Sequence, residues 1–284
     1  MRQSRRQFLA GAAVTATGAG SLAAGFGPLG GESDTGVAAL VAGSLLSVAS
    51  DVPGATVEAH GSLAARRLVT EDARNPDALA LADPALFAGL TENVVLFATN
   101  ALTLAYDPDS AHADTLRDDW TSALRDDEIR VGCTDPAVDP LGYRTVLALR
   151  LAARRGLLDA VDPVLANTTR LPETQIARVL DTGKLDAAFV YRSMAAEYGV
   201  PTVDLPAAID FSDPDHAETY GSVSLDIGDR TVSGAPIRYG AAALTDRGRS
   251  WVRDLTRDAD RLRDHGFGAP DDYPAVAPSP PRSD

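Results

Sequence analysis

The stretch DPAVDPLGYRTVLALRLAARR, residues 135–155, is a polar turn that runs directly into a long apolar helix. The turn is Asp139-Pro140-Leu141-Gly142, and we predict that the helix begins near Tyr143. Arginines weight the C-terminal end of this helix, which is the favourable direction for the helix dipole. The free N–H groups at its start therefore open onto a loop with a carboxylate and a glycine. Such a start is suited to bind an anion.

Two earlier segments repeat a pattern of short apolar strand, Gly-Ser pair and helix. Residues 36–42 (GVAALVA) lead into Gly43-Ser44, and residues 56–60 (TVEAH) lead into Gly61-Ser62. Repeated units of this kind predict an α/β fold with both serines at the carboxyl ends of strands. Each serine alone is equally well explained as an ordinary helix cap, but the repetition favours a binding role. We expect four helix starts to meet in one cleft.

Two segments fit connections between lobes. Residues 93–106 (NVVLFATNALTLAY) are long for one strand and fit two strands joined at Thr99-Asn100, and residues 236–244 fit a return crossing. Residues 269–284 are rich in Pro and Asp, which is typical of a disordered tail. The predicted domains are a signal segment (1–33), lobe I (34–100 with 236–268), lobe II (101–235) and the disordered tail (269–284).

The chain is strongly acidic: 40 Asp and Glu stand against 26 Lys and Arg among 284 residues, a net charge of −14. This balance argues against nucleic acid as a partner, which requires a basic surface. Lys184 is the only lysine. An acidic, lysine-poor surface suits a halophilic protein, and an acidic secreted protein is the plainer alternative. The single cysteine, Cys133, excludes an internal disulfide, and we predict that it is a buried strand residue.

Residues 1–33 have the composition of an export signal. A basic start precedes a short run rich in Ala and Gly, and residues 4–9 (SRRQFL) resemble the twin-arginine export motif. We therefore expect an exported protein that acts at the extracellular face of the cell membrane, and a disordered basic tail is the alternative. No cysteine follows the signal for lipid attachment, so its mode of retention at the surface is open.

Four short motifs occur in order within residues 36–268. They are AGSL (42–45), GS (61–62), DP…DPLGYR (135–144) and DAAFVYRS (186–193). Together they resemble the archaeal tungstate/molybdate-binding proteins of ABC importers. The resemblance implies a type II periplasmic-binding-protein fold, α/β, with two lobes, two hinge-crossing strands and the ligand in the cleft. It also implies a monomeric extracellular subunit, with no cofactor, that delivers tungstate or molybdate to a membrane permease and a cytoplasmic ATPase.

The resemblance further implies which residues bind. The hydroxyls of Ser44, Ser62 and Tyr191 and the backbone N–H groups around Leu141 would donate to the oxyanion. Two carboxylates would bind the metal atom itself and expand it to six-coordinate: these are Asp139 and Glu173. Glu173 is located by its spacing to Tyr191 and by the proline before its helix. Simple complementarity to the helix dipole is the alternative for this glutamate.

Two carboxylates beside a dianion require a physical reason, because like charges 4 Å apart repel by roughly 4 kcal/mol at an effective dielectric of 20. The arrangement makes sense if the carboxylate oxygens coordinate W(VI) or Mo(VI), which are hard, oxygen-seeking centres. Sulfate and phosphate would meet only the repulsion, since their central atoms cannot add ligands. The alternative is a binding protein for another small anion: sulfate, phosphate or an organic anion. We expect no enzyme, because the chain has no G-x-S-x-G motif and its histidines are scattered.

Overall fold

The structure is a computed structural model, and it describes residues 36–228 and 230–279. The predicted signal, residues 1–33, lies outside the described residues. Within them, no helix combines the length and the apolar character that crossing a bilayer demands.

The first sheet has six strands in the order β13-β4-β12-β3-β1-β2. Strand β1 is parallel to β2 and β3, whereas β12 is antiparallel to β3 and β4, and β13 is antiparallel to β4. The central strands are apolar runs because a strand covered on both faces has no solvent side. The strands are β1 (Val37–Ala42), β2 (Ala55–His60), β3 (Ala78–Leu81), β4 (Asn93–Thr99), β12 (Arg238–Ala243) and β13 (Ala275–Pro278).

The second sheet has five strands in the order β7-β6-β8-β5-β9. Strand β6 is parallel to β7 and β8, and β5 is antiparallel to β8 and β9. A separate hairpin pairs β10 with β11. The strands are β5 (Leu102–Tyr106), β6 (Val131–Cys133), β7 (Thr168–Arg170), β8 (Ala187–Tyr191), β9 (Thr202–Val203), β10 (Ser224–Ile227) and β11 (Arg230–Ser233).

Helices cover both sheets and complete two α/β lobes. The first lobe carries α1 (Leu46–Ser50), α2 (Ser62–Thr70), α11 (Gly248–Arg257) and α12 (Ala259–Asp264). The second carries α3 (Ala113–Asp118), α4 (Trp120–Ala123), α5 (Pro140–Arg154), α6 (Asp162–Ala166), α7 (Glu173–Asp181), α8 (Arg192–Tyr198), α9 (Ala207–Asp210) and α10 (Ala217–Gly221). Short 3-10 turns lie at Gly43–Leu45, Pro84–Phe87 and Pro214–His216.

The chain crosses between the sheets twice. The first crossing lies between β4 and β5, where the sequence predicted two strands joined at Thr99-Asn100, and that prediction is confirmed. The second crossing precedes β12, which returns the chain to the first sheet. The fold is therefore the expected two-lobed α/β arrangement. Cys133 ends β6 and is buried, as predicted.

The predicted start of α5 is wrong by three residues, because the helix begins at Pro140 rather than near Tyr143. Asp139 is its N-cap, and its side chain accepts a hydrogen bond from the Gly142 N–H at 3.0 Å. Proline suits the first helical position because its missing N–H would have no partner there and its φ is already helical. The carboxylate of Asp139 is thus tied to the helix it precedes.

The predicted disorder of residues 269–284 is wrong where the structure describes this segment. Residues 275–278 form β13 along β4, and the N–H of Ser279 donates to the carbonyl of Glu92 at 2.9 Å. Ala275 and Ala277 are half-buried while their neighbours are exposed, which is the alternation of a strand covered on one face. Pro278 is tolerated because β13 is an edge strand, where a missing donor disrupts no ladder.

Candidate functional site

Helix starts from both lobes meet in the space between the two sheets. The carboxylate of Glu173, the first residue of α7, accepts hydrogen bonds from the N–H groups of Gly43 at 3.2 Å and Ser44 at 3.3 Å. In the first turn of α2, the N–H of Ala64 donates to the carbonyl of Val138 at 3.1 Å. Four helix starts therefore converge here, as the sequence predicted, and the lobes touch through them.

Glycine allows this close approach at two positions. A Cβ on Gly61 would lie 2.7 Å from the Cβ of Asp139 and 2.7 Å from the carbonyl oxygen of Val138. A Cβ on Gly43 would lie 3.1 Å from Oε2 of Glu173. The backbone of Gly61 has φ −57°, which any residue adopts, so the reason for glycine is space rather than conformation. The glycines of both Gly-Ser pairs let the second lobe come within contact distance.

Two of the predicted hydroxyls, those of Ser62 and Tyr191, are completely buried. Ser62 Oγ accepts a hydrogen bond from the Ala82 N–H at 3.0 Å, and Tyr191 Oη accepts one from Arg144 at 2.7 Å. Neither an amide N–H nor a guanidinium can accept in return. The proton of each hydroxyl must therefore point to some other acceptor, which makes both groups donors into the site.

The third predicted hydroxyl, that of Ser44, is linked to the first crossing. Ser44 Oγ accepts from the Tyr239 hydroxyl at 3.1 Å, and Tyr239 accepts from the side chain of Asn100 at 3.2 Å. Asn100 also donates to Ser193 Oγ at 2.8 Å. Ser44 itself is hydrogen-bonded to the carboxylate of Glu173, and this bond lowers the pKa of that carboxyl. Ser44 Oγ is thus held by the Tyr239 donor, and its own proton points to the Glu173 carboxylate at the site.

Asp139 presents two chemically different carboxylate oxygens. Oδ1 accepts from Thr134 Oγ1 at 2.7 Å and from the Gly142 N–H at 3.0 Å. Oδ2 is buried and has no hydrogen-bond partner among the described residues. Burial is the largest cause that raises the pKa of Asp139, and the bonds from Thr134, Gly142 and Leu141 oppose it. A buried, unpartnered carboxylate oxygen is unfavourable unless a proton or a cationic centre meets it.

Glu173 is the second buried carboxyl of the site. Burial, followed by the charge of Asp139, raises its pKa well above the ordinary carboxyl range. Two neighbouring carboxyls that resist ionisation share protons and titrate as a pair. The described residues contain no group of three or more His, Cys, Asp or Glu side chains arranged for a simple metal ion. Chemically, such a pair can offer two oxygen ligands to a centre that brings its remaining oxygens with it.

All six residues that the sequence predicted as site residues are buried, and they are joined by contacts into one cluster. The six are Ser44, Ser62, Asp139, Leu141, Glu173 and Tyr191.

Sequence reasoning assigned no role to four residues that hold this cluster in place. Arg144 lies inside a motif that we quoted, whereas Asn100, Thr134 and Tyr239 had no local signal.

Comparisons with known proteins agree on one family. A family model described as bacterial extracellular solute-binding protein matches residues 54–267. A Haloferax volcanii protein, provisionally named an ABC transporter molybdenum-binding protein, is 48% identical over 258 residues, covering 86% of this chain and 84% of that protein. The molybdate/tungstate-binding protein WtpA of Thermococcus kodakarensis is 30% identical over 223 residues, covering 66% of this chain and 63% of WtpA.

A solved structure shows the same fold. The periplasmic molybdate-binding protein of Azotobacter vinelandii matches with a TM-score of 0.59 at 13% identity, covering 82% of this chain and 99% of that one. The two-lobed periplasmic-binding fold expected from the sequence is therefore confirmed.

Proposed function

This chain belongs to the family of bacterial extracellular solute-binding proteins, and we propose that it captures molybdate and tungstate for an ABC importer. It is exported and works at the extracellular face of the membrane. It closes its lobes on the oxyanion and presents the closed form, as a monomer, to a permease that an ATPase drives. It needs no cofactor and catalyses no reaction, since the ligand is bound and released unchanged.

The observation that carries this proposal is the buried Oδ2 of Asp139, which lacks a partner beside the second buried carboxyl of Glu173. A site for sulfate or phosphate gains nothing from two ionised carboxylates, because in that form they repel the anion. Mo(VI) and W(VI) are hard centres that add oxygen ligands. Asp139 and Glu173 would bind the metal atom and turn the repulsion into coordination.

The remaining groups of the site would bind the oxygens of the anion. The hydroxyls of Ser62 and Tyr191 are each held by a donor, so their protons are available to a ligand that can only accept. The hydroxyl of Ser44, which donates to Glu173 in the ligand-free protein, would turn to the anion when Glu173 coordinates the metal atom. The N–H groups at the start of α5, around Leu141, add the positive end of a helix. A fully deprotonated oxyanion satisfies all of these donors at once.

Calorimetry with four anions tests the proposal: molybdate, tungstate, sulfate and phosphate. We expect the wild type to bind the first two and to reject the others. Asp139→Asn is the decisive variant, since asparagine also caps helices well and should preserve α5. We expect it to weaken molybdate binding by more than about tenfold, a loss seen when even a group that only orients a metal ligand is removed.

The same variant should bind sulfate no more weakly than the wild type, because one repulsive charge is gone. Asp109→Asn, a change at an exposed carboxylate, is the matched control and should leave every affinity unchanged. Equal wild-type affinities for molybdate and sulfate would overturn the proposal and leave the alternative of a binding protein for another small anion.

A further inference from the structure

Arg144 places a permanent positive charge in the interior, where the two lobes meet. Its side chain belongs to α5 of the second lobe and is 5% exposed. One guanidinium nitrogen, Nη1, donates to the carbonyl of Ala82 in the first lobe at 2.8 Å and to Tyr191 Oη at 2.7 Å. Arginine stays protonated in proteins, so this charge is present at every working pH.

No carboxylate neutralises Arg144 directly among the described residues. Its hydrogen-bond acceptors are a carbonyl and a phenol, both uncharged. Asp83 acts on it through space, but the carboxylate of Asp83 is hydrogen-bonded to the hydroxyl of Tyr143. A buried charge without a paired counter-charge is costly to a fold, which indicates that something other than stability maintains it.

The contacts of Arg144 control two of the three hydroxyl donors. Its bond to Tyr191 Oη occupies a lone pair and forces the phenol proton toward another acceptor. Its bond to the Ala82 carbonyl holds the residue whose N–H fixes Ser62 Oγ at 3.0 Å. The rings of Tyr143 and Tyr191 lie 5.7 and 5.8 Å from the guanidinium carbon and restrict where the charge can go.

We propose that Arg144 is a positioning residue that makes the site select doubly charged, fully deprotonated oxyanions. It orients the hydroxyls of Tyr191 and Ser62 as donors. It also supplies a positive counter-charge, whose attraction for a dianion is about twice its attraction for a monoanion. This inference deepens the proposed function and rests on it. Perrhenate is the matching probe, because it is tetrahedral and oxygen-coordinated like tungstate but carries a single negative charge.

The experiment compares the affinities of molybdate and perrhenate, directly or by competition, in the wild type, Arg144→Gln and Arg144→Lys. Coulomb energy scales with ligand charge, so the logarithm of the affinity loss should be about twice as large for the dianion. We expect Arg144→Gln to weaken molybdate by about 10- to 100-fold, the range for a lost hydrogen bond to a charged group, and perrhenate by about 3- to 10-fold. Arg144→Lys should weaken both but keep their ratio.

A second arm tests the route through Tyr191. In a Tyr191→Phe background, Arg144→Gln should weaken molybdate by a smaller factor than in the wild type, because part of its effect passes through the phenol. Thermal unfolding without ligand shows whether each variant folds. If Arg144→Gln does not fold, Arg144→Lys is compared in the wild-type and Tyr191→Phe backgrounds instead. Arg155→Gln, at the exposed end of the same helix, is the control and should change nothing.

The outcomes separate this inference from the proposed function. A wild type that binds neither molybdate nor tungstate overturns the proposed function. A wild type that binds molybdate, with an Arg144→Gln variant whose molybdate-to-perrhenate ratio is unchanged, overturns only the role of Arg144. Equal wild-type affinities for molybdate and perrhenate would also overturn the role of Arg144. If perrhenate does not compete detectably with molybdate for the wild type, that result supports selection by charge.

Discussion

Gly61 lies where the backbone of the first lobe meets the loop that carries Asp139. Its φ and ψ, −57° and 139°, are ordinary for alanine, so Gly61→Ala introduces no strain in a protein whose lobes are apart. With the lobes together, the new methyl group would lie 2.7 Å from the Cβ of Asp139 and from the carbonyl oxygen of Val138. We therefore predict that Gly61→Ala weakens molybdate binding by opposing closure while leaving the fold intact.

The expected size follows from these distances. Ordinary contact begins at 3.4 Å, so the lobes must separate by about 0.7 Å, the difference between 3.4 and 2.7 Å. That movement stretches the 3.1 Å bond between the Ala64 N–H and the Val138 carbonyl and the bonds, already 3.2 and 3.3 Å long, that Glu173 accepts. Overpacking of this kind typically costs about 1–3 kcal/mol. The affinity should fall by about 5- to 150-fold.

Calorimetry with molybdate measures the affinity, and small-angle X-ray scattering at saturating ligand measures the compaction. Gly221→Ala is the matched control, because the nearest atom to its Cβ would be the Gly234 oxygen at 3.9 Å. Gly43→Ala should have a smaller effect than Gly61→Ala, since the atoms it meets at 3.1 Å belong to side chains that can move. If Gly61→Ala binds and compacts like the wild type, the bound protein does not close through this contact.

Three further predictions concern the groups around the site. Tyr239→Phe removes the donor to Ser44 Oγ and should weaken molybdate by about 2- to 12-fold in calorimetry, so an unchanged affinity would contradict the role of that bond. Thr134→Val removes the 2.7 Å bond to Asp139 and should raise the pKa of this carboxyl further. Molybdate affinity should therefore fall near neutral pH and return at higher pH, where the carboxyl is ionised. A loss of affinity that does not depend on pH would argue that the raised pKa is not the cause. Burial, then the charge of Asp139, raises the pKa of Glu173 well above the ordinary carboxyl range. The folded protein therefore holds this proton more tightly than the unfolded chain. The associated stability is complete below about pH 4, the ordinary carboxyl pKa, and is lost as the pH rises through the raised pKa of the folded state. The unfolding temperature of the ligand-free wild type should fall across this window relative to Glu173→Gln, and a constant difference would refute the titration.

Local patterns predicted the framework of the fold because local physics determines it. The Gly-Ser pairs after apolar strands marked the helix starts of the first lobe, and the long run around Thr99-Asn100 marked a crossing. The same reasoning failed where composition was taken as conformation. Pro140 begins α5 instead of delaying it, and residues 275–278, which end in Pro278 and lie within the proline-rich segment 269–284, pair as an edge strand. A proline removes one donor, and at both places that donor has no partner to lose.

The residues that hold the site in place could not be predicted from local patterns, since their partners are far away in the chain. Arg144 bonds to a carbonyl 62 positions earlier, and Tyr239 bonds to a serine 195 positions earlier. Asn100 reaches Tyr239 across 139 positions. Periodicity and capping describe neighbours within a few residues. Contacts of this range exist only once both crossings have brought the lobes together.

The two carboxylates of the site differ in what remains free for a ligand. Asp139 accepts the bonds from Thr134 and Gly142 through Oδ1, and Oδ2 has no partner among the described residues, so its open coordination capacity lies on Oδ2. Glu173 uses both oxygens, one for the Gly43 N–H and one for the Ser44 N–H, yet a carboxylate has about four lone-pair positions. Glu173 can therefore keep its bonds to the opposite lobe while it coordinates a metal centre. In the proposed site Asp139 would bind the ligand while tied only to Thr134 and its own helix, whereas Glu173 would couple ligand binding to lobe closure.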